Sequence, residues 1–137
     1  MPRFLGIDYG EKRIGLSWGD DLGVAMPLPA ATASREEERW SRIEEVIREQ
    51  RIDELVVGYP YNMDGSVGFK AREVDRFVEA LKTRFAGPVH LVDELLTSSV
   101  AEERYRRRKT KVDRKSGRVD SHAAALILQD FLDQRIG

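Results

Sequence analysis

The sequence has no cysteine, only two histidines and no long uninterrupted apolar run. The absence of cysteine excludes disulfides and thiolate metal sites, and His90 and His122 lack the spacing of a zinc site. No segment approaches the roughly 20 apolar residues that a membrane helix needs. The first residues also lack the apolar region of a signal peptide. We therefore expect a cytoplasmic protein.

The chain is short and its charge is unevenly distributed. Its 137 residues fit one domain, 1–137. The net charge of -1 argues against a nucleic-acid partner, but residues 104–118 hold nine basic residues and one acid. Such an asymmetry is typical of a segment that binds a polyanion, although a solvated helix end remains the alternative. The candidate nucleic-acid contacts in this segment are Arg106, Arg107, Arg108, Lys109, Lys111 and Lys115.

The pattern of apolar residues predicts an α/β fold. Short strands are expected at residues 4–8, 13–18, 24–32, 55–58 and 89–92, and those at 4–8, 55–58 and 89–92 are expected to be buried. Ser34 and Glu37 have capping-box spacing, so a helix is expected to begin there. Further helices are expected at 67–85, from Thr97 or Ser98, and from Asp120. This order predicts a mixed five-stranded sheet, with three antiparallel strands followed by βα units and helices on both faces.

In such a sheet, active sites lie beyond the carboxyl ends of the parallel strands. The sequence has acidic residues at these positions. Asp8 ends the first strand, Glu94 follows the fifth with Asp93 beside it, and Asp120 opens the last helix. Singly, each is more typical of a turn or a helix cap. Together, carboxylates about 4 Å apart repel by roughly 4 kcal/mol at an effective dielectric constant of 20. A cluster of three would therefore shift its pKa values upward or recruit a cation.

An all-oxygen ligand set favours Mg²⁺ or Mn²⁺. Asp8, Glu94 and Asp120 are the candidate catalytic and metal-binding residues, with Asp93 as a further possible ligand; we regard His122 as a surface residue. Beside a basic segment, such a site indicates phosphodiester hydrolysis with two ions about 3.5–4 Å apart. Asp8 would bridge them, because it comes from the rigid centre of the sheet. Lys12 and Arg13 in the first hairpin turn could contact a phosphate, or be ordinary exposed turn residues.

Four ordered blocks resemble the YqgF family over nearly the whole chain. They are GIDYGEKRIG at 6–15, VGYP at 57–60 with MDGS at 63–66, DE at 93–94 with LT at 96–97, and VDSHAA at 119–124 with ILQ at 127–129. The resemblance implies an RNase H-like fold related to Holliday-junction resolvases, and a nuclease that matures the 5′ end of pre-16S rRNA. It implies the same acidic set, Asp8, Glu94 and Asp120. Leu95 stands where the family usually has arginine, so a phosphate contact would come from Lys12, Arg13 or the basic segment.

Three other functions compete with a nuclease of precursor rRNA. The first block also resembles the phosphate loop of sugar kinases and actin-like ATPases, but 137 residues supply only one of the two domains those proteins need. A non-catalytic RNA-binding module for ribosome assembly remains open because of Leu95. A resolvase acting on branched DNA would favour a homodimer, whereas an rRNA nuclease could act as a monomer or homodimer, with a ribosomal particle as a further partner.

Overall fold

The computed structural model describes residues 2–60, 68–93 and 121–136. Its strands are β1 (Arg3–Asp8), β2 (Ile14–Asp20), β3 (Met26–Ala31), β4 (Glu54–Tyr59) and β5 (Val89–Asp93). Its helices are α1 (Glu36–Glu49), α2 (Phe69–Arg84) and α3 (His122–Ile136). The predicted helix from Thr97 or Ser98 lies outside the described residues.

The five strands form one mixed sheet in the order β3-β2-β1-β4-β5. The pairs β1·β2 and β2·β3 are antiparallel, whereas β4 runs parallel to both β1 and β5. The predicted meander followed by βα units is therefore confirmed. β3 lies at an edge, which suits Pro27 and Pro29 because proline cannot donate a ladder hydrogen bond.

The alternation of side chains along each strand divides the core between the two faces of the sheet. In β1, Leu5 and Ile7 pack with α1 and α2, whereas Phe4 packs with α3. β4 alternates in the same way, with Val57 on the α1/α2 face and Val56 on the α3 face. The prediction of helices on both faces is confirmed, and the sheet lies between two apolar layers.

One predicted detail of α1 and one of β5 are wrong. Residue 35, not Ser34, is the N-cap of α1, and no side chain donates or accepts a capping hydrogen bond there. The backbone at Arg35 is extended, and the Ser34 carbonyl accepts a 3.2 Å hydrogen bond from Arg39 instead. β5 is also not a buried strand. It is the last strand of the order and Leu91 is 43% exposed, because an apolar run does not distinguish a central strand from a covered edge.

The last helix begins two residues later than predicted. α3 starts at His122, after a 3₁₀ turn at Ser121. Ala124, Ile127, Leu128 and Leu132 of this helix are buried against the sheet. Within the described parts of the chain, no helix combines the length and the apolar character needed to cross a bilayer.

Candidate active site

Asp8 is the last residue of β1, at the carboxyl end of the central strand. It is half-buried and is paired in register with Gly15 of β2. Successive side chains of a strand point to opposite faces of the sheet. Asp8 therefore lies on the same face as Phe4 and Gly6, which is the face that α3 covers. The sheet thus presents this carboxylate from a rigid position, beside the elements that follow β1 and precede α3.

The beginning of α3 is fixed to the same end of the sheet through a buried serine. The backbone N–H of Leu16 donates to Ser121 Oγ over 3.0 Å, and that hydroxyl donates in turn to the Leu28 carbonyl. Leu16 pairs with Ile7, the residue before Asp8. Ser121 is fully buried. The chain therefore enters α3 within about one residue of the level of Asp8 along the sheet.

The first turn of α3 also packs closely on β1 and β2. Ser17 Oγ donates to the Ala124 carbonyl over 2.8 Å. A Cβ added at Gly6 would meet Ser17 Oγ, and would lie 2.7 Å from Leu128 Cβ and 2.9 Å from the Ala124 carbonyl oxygen. Gly6 is therefore required for the close approach of helix and sheet.

Asp93 lies at the same end of the sheet as Asp8, two strands away. It pairs with Tyr59 at the end of β4, and β4 separates β5 from β1. Two strand spacings amount to roughly 9–10 Å. Asp93 also shares its position in the alternation with Val89, which packs on the α1/α2 face. Among residues 2–60, 68–93 and 121–136, no three acidic or histidine side chains form a metal-binding group.

The other predicted ligands, Glu94 and Asp120, lie outside the described residues. So does the basic segment, with Arg106, Arg107, Arg108, Lys109, Lys111 and Lys115. Lys12 and Arg13 are described, and both are exposed in the turn between β1 and β2. Gly10 allows this tight turn, since a Cβ there would lie 2.5 Å from the Arg13 carbonyl oxygen. The turn presents two cationic residues at the end of the sheet where Asp8 lies.

A cavity of about 380 Å³ opens at the same end of β1, on the α1/α2 face. We call it the Tyr9 cavity. The Tyr9 and Phe77 rings are tilted by 35° with their centroids 4.6 Å apart, and Phe77 stacks against Trp40 at 5.1 Å. Its lining is completed by Ile14, Ala80 and five charged residues, Glu11, Glu36, Glu73, Arg39 and Arg76.

The sequence prediction missed this cavity, although a signal was present. α1 contains Glu36-x-x-Arg39-Trp40 and α2 contains Glu73-x-x-Arg76-Phe77, so an acid, an arginine and an aromatic residue recur with identical spacing. All six of these residues line the Tyr9 cavity. The two triads are far apart in the chain, and only the packing of both helices on one sheet face brings them together.

Burial and the surrounding charges raise the pKa of the Tyr9 phenol. Desolvation is the largest cause, followed by the negative charges of Glu73 and Glu36, while Arg39 acts in the opposite direction. The phenol thus stays protonated and can donate a hydrogen bond throughout the physiological range.

Comparison with known proteins identifies the family. A family model described as "RuvX: Holliday junction resolvase" matches residues 2–134. The chain belongs to the RuvX family. This confirms the YqgF-type resemblance and, at the level of the family, the predicted class of enzyme, a nuclease that hydrolyses phosphodiester bonds.

Relatives of this RuvX family member match it over nearly its whole length. A protein of Opitutus terrae named "Putative pre-16S rRNA nuclease" is 52% identical over 134 residues, covering 97% of this chain and 92% of its own. Proteins of the same name from Trichormus variabilis and Anaeromyxobacter sp. (strain Fw109-5) are 39% and 42% identical, covering 96% and 97% of this chain and 87% and 98% of their own.

Solved structures support the fold. The chain is similar to a structure described as "T. thermophilus RuvC in complex with Holliday junction substrate", with a TM-score of 0.58 and 20% identity, covering 100% of this chain and 97% of the other. A second Thermus thermophilus RuvC structure gives a TM-score of 0.52 and 17% identity, covering 98% and 96%. The RNase H-like fold is thereby confirmed.

Proposed function

We propose that this RuvX family protein is a cytoplasmic, divalent-metal-dependent nuclease that processes the 5′ end of pre-16S rRNA, acting as one domain. The observation that carries the proposal is the hydrogen bond from Leu16 to Ser121, which holds the start of α3 beside the strand end that presents Asp8. The name shared by the relatives supports precursor rRNA as the substrate.

The donor chemistry at this end of the sheet fits Mg²⁺ or Mn²⁺. Asp8 offers a half-buried carboxylate on the α3 face, and these ions prefer oxygen ligands. We propose Asp8, Glu94 and Asp120 as the residues that would hold two ions. The alternation along β5, which gives Asp93 the α1/α2 face, favours Glu94 over Asp93 as the partner of Asp8. When bound, such ions supply Lewis-acid activation of water and neutralise charge on the leaving oxygen.

The protein's own part is positioning. Asp8 ends a central strand that pairs with β2 and β4, so its backbone is held in place. The N-terminal end of α3 points to the same region, and the helix dipole favours anionic groups there. Lys12 and Arg13 are exposed in the adjacent turn and can hold the phosphate backbone of the substrate. These contacts give orientation without reading a sequence.

The proposal is tested by a Mg²⁺- or Mn²⁺-dependent cleavage assay on precursor 16S RNA, with a four-way DNA junction as competing substrate. Asp8→Asn should lose activity by about 100-fold or more while keeping its fold. Asp75→Asn, an exposed carboxylate on α2, is the matched control and should behave as wild type. Equal activity of Asp8→Asn and wild type would reject the proposed site.

A junction resolvase is the second candidate function. The description of the family model and the junction bound by the similar RuvC both favour it. A resolvase would cut the four-way junction and leave linear precursor RNA intact, and would act as a homodimer with one site for each strand. If the protein cleaved only the junction, branched DNA would replace precursor RNA as the proposed substrate, and the proposed metal-binding residues would stay the same.

The basic segment is proposed to bind the RNA backbone. If Arg106, Arg107, Arg108, Lys109, Lys111 and Lys115 together contact about five phosphates, log affinity should fall with log salt at a slope of about -3.5. Measuring binding at several salt concentrations in the presence of a chelator separates this contribution from catalysis. A flat salt dependence would remove the segment from the proposed interface.

A further inference from the structure

The Tyr9 cavity combines two features that are rare on an ordinary surface, namely an aromatic floor and charged walls. Phe77 and Trp40 are 5% and 8% exposed, so they form the floor, and the half-buried Tyr9 ring stands at the rim. At about 380 Å³ the cavity lies at the small end of the range for ligand pockets. It is large enough for one planar heterocycle and too small for a helix or a peptide strand.

The charges in the cavity disfavour a phosphate group. Three carboxylates, Glu11, Glu36 and Glu73, face two guanidinium groups. One of these, Arg39, already donates through Nη1 to the Ala33 carbonyl at 2.8 Å and to the Ser34 carbonyl at 3.2 Å. A phosphate would meet net negative charge, whereas a neutral ligand with N–H donors would find acceptors. The cavity therefore suits an uncharged, donor-bearing ring.

Among the nucleobases, guanine best matches a carboxylate beside a guanidinium. Its N1–H and exocyclic amine can donate to one carboxylate, and its O6 and N7 can accept from one arginine. Glu73 and Arg76 lie three residues apart on α2, so their side chains lie on neighbouring positions of one helix face. Adenine and cytosine carry amino groups but lack this pairing of a two-donor edge with a two-acceptor edge.

We propose that the Tyr9 cavity binds the guanine base of an unpaired nucleotide in the substrate strand. Glu73 would accept from the Watson–Crick edge, Arg76 would donate to O6 and N7, and Tyr9 would stack on the base. Tyr9 directly follows Asp8 at the same end of β1 but on the opposite face of the sheet, so a strand that reaches both sites would cross this end of the sheet. The inference rests on the proposed function only in requiring a nucleic-acid substrate.

The test measures binding of RNA probes to the wild-type protein in the presence of a chelator, which removes divalent ions and so prevents cleavage. The probes are RNA hexamers of uridine with one central guanosine, the same hexamer with inosine, the all-uridine hexamer, free guanosine and spermidine. Nuclear magnetic resonance follows the Trp40 indole and gives both the site and the affinity. The guanosine hexamer should bind about tenfold more tightly than the all-uridine hexamer, and inosine, which lacks the amine, should lose most of this gain.

Paired variants on α2 locate the effect. Glu73→Gln and Arg76→Met should abolish the preference for guanosine and leave the affinity for the all-uridine hexamer unchanged. Glu79→Gln and Arg72→Met, which alter residues of the same helix outside the cavity, should keep the preference. Asp8→Asn should also keep it. Loss of cleavage in Asp8→Asn therefore tests the proposed nuclease site, whereas the guanosine preference tests the proposed binding of guanine in the Tyr9 cavity.

Several results would overturn the inference. One is equal binding of all three hexamers, and another is a guanosine preference that survives Glu73→Gln. A shift of the Trp40 resonance by spermidine but not by the guanosine hexamer would make the cavity a cation site. Free guanosine that binds as tightly as the hexamer would make it a mononucleoside pocket instead of a contact to the substrate strand.

Discussion

The backbone N–H of Leu16 and the hydroxyl of Ser121 are joined by a 3.0 Å hydrogen bond across 105 residues of sequence. The same hydroxyl donates to the Leu28 carbonyl, so one side chain links β2, β3 and the start of α3. Because Asp8 and Leu16 lie on adjacent strands at the same end of the sheet, this link also sets where the chain enters α3 relative to the proposed metal ligand.

Ser121→Ala should therefore lower both stability and activity. It leaves the Leu16 N–H and the Leu28 carbonyl buried without this partner, which costs about 1–3 kcal/mol of the free energy of unfolding. Urea unfolding measures the loss. Ser41→Ala is the control, because Ser41 is exposed and its hydroxyl bonds only within α1; it should stay within about 0.5 kcal/mol of wild type. A Ser121→Ala variant as stable as wild type would contradict this role.

Gly6→Ala should destabilise the protein by overpacking. The added methyl would collide with Ser17 Oγ and lie 2.7 Å from Leu128 Cβ, so α3 would have to move away from β1. Overpacking of this kind costs about 1–3 kcal/mol. Thermal or urea unfolding would show the loss. Unchanged stability of Gly6→Ala would mean that helix and sheet are not so closely packed.

Local patterns were sufficient to predict the strands and the central acid. β1 and β4 are short apolar runs bounded by polar residues, and the order of elements left few alternatives for the sheet. Asp8 could be placed because it directly follows such a run. The spacing of Trp40, Ile43 and Val46 in the sequence also indicates one apolar face of α1, and all three residues are buried.

Features that depend on distant contacts could not be predicted in this way. The exposure of β5 depends on its place at the edge of the sheet, and an apolar sequence pattern does not indicate that place. The capping box at Ser34 was wrong because a favourable spacing does not ensure that the backbone turns there. The Tyr9 cavity arises where α1 and α2 meet β1, and the sequence of either helix alone does not indicate that the two helices converge.

Asp130→Asn should stabilise the protein at neutral pH. Burial is the main cause that raises the pKa of the Asp130 carboxyl, the Asp133 charge adds to it, and the hydrogen bond from Gln134 opposes it. Since the folded state holds this proton more tightly, its contribution to stability is complete below the ordinary pKa of 3.8 and is lost as pH rises through the raised value.

Urea unfolding at about pH 7 and about pH 4 checks this sign. The free energy of unfolding of Asp130→Asn should exceed that of wild type by about 0.5 kcal/mol or more at neutral pH. The difference should shrink on acidification, because the wild-type carboxyl then becomes neutral as well. Asp75→Asn, which removes an exposed charge, should show no such gain. A gain that grows towards low pH would reverse the assignment.

Tyr9 provides a spectroscopic test of the charges around its cavity. Its raised pKa means that tyrosinate forms in the folded protein above the ordinary value of 10.0. The difference in tyrosinate absorbance between wild type and Tyr9→Phe, titrated at high pH, isolates this phenol. Glu73→Gln removes the negative charge that raises the phenol pKa most, so it should lower the midpoint of the tyrosinate titration. Glu79→Gln should leave this midpoint unchanged.

The same shift predicts a change in alkaline stability. Because the folded state holds the phenol proton more tightly, the contribution of Tyr9 to stability is complete below the ordinary pKa and is lost as pH rises through the raised value. The free energy of unfolding of Tyr9→Phe should thus fall less steeply above about pH 10 than that of wild type. Parallel curves for the two proteins would contradict the raised pKa of Tyr9, and a midpoint unaffected by Glu73→Gln would mean that this carboxylate does not face the phenol.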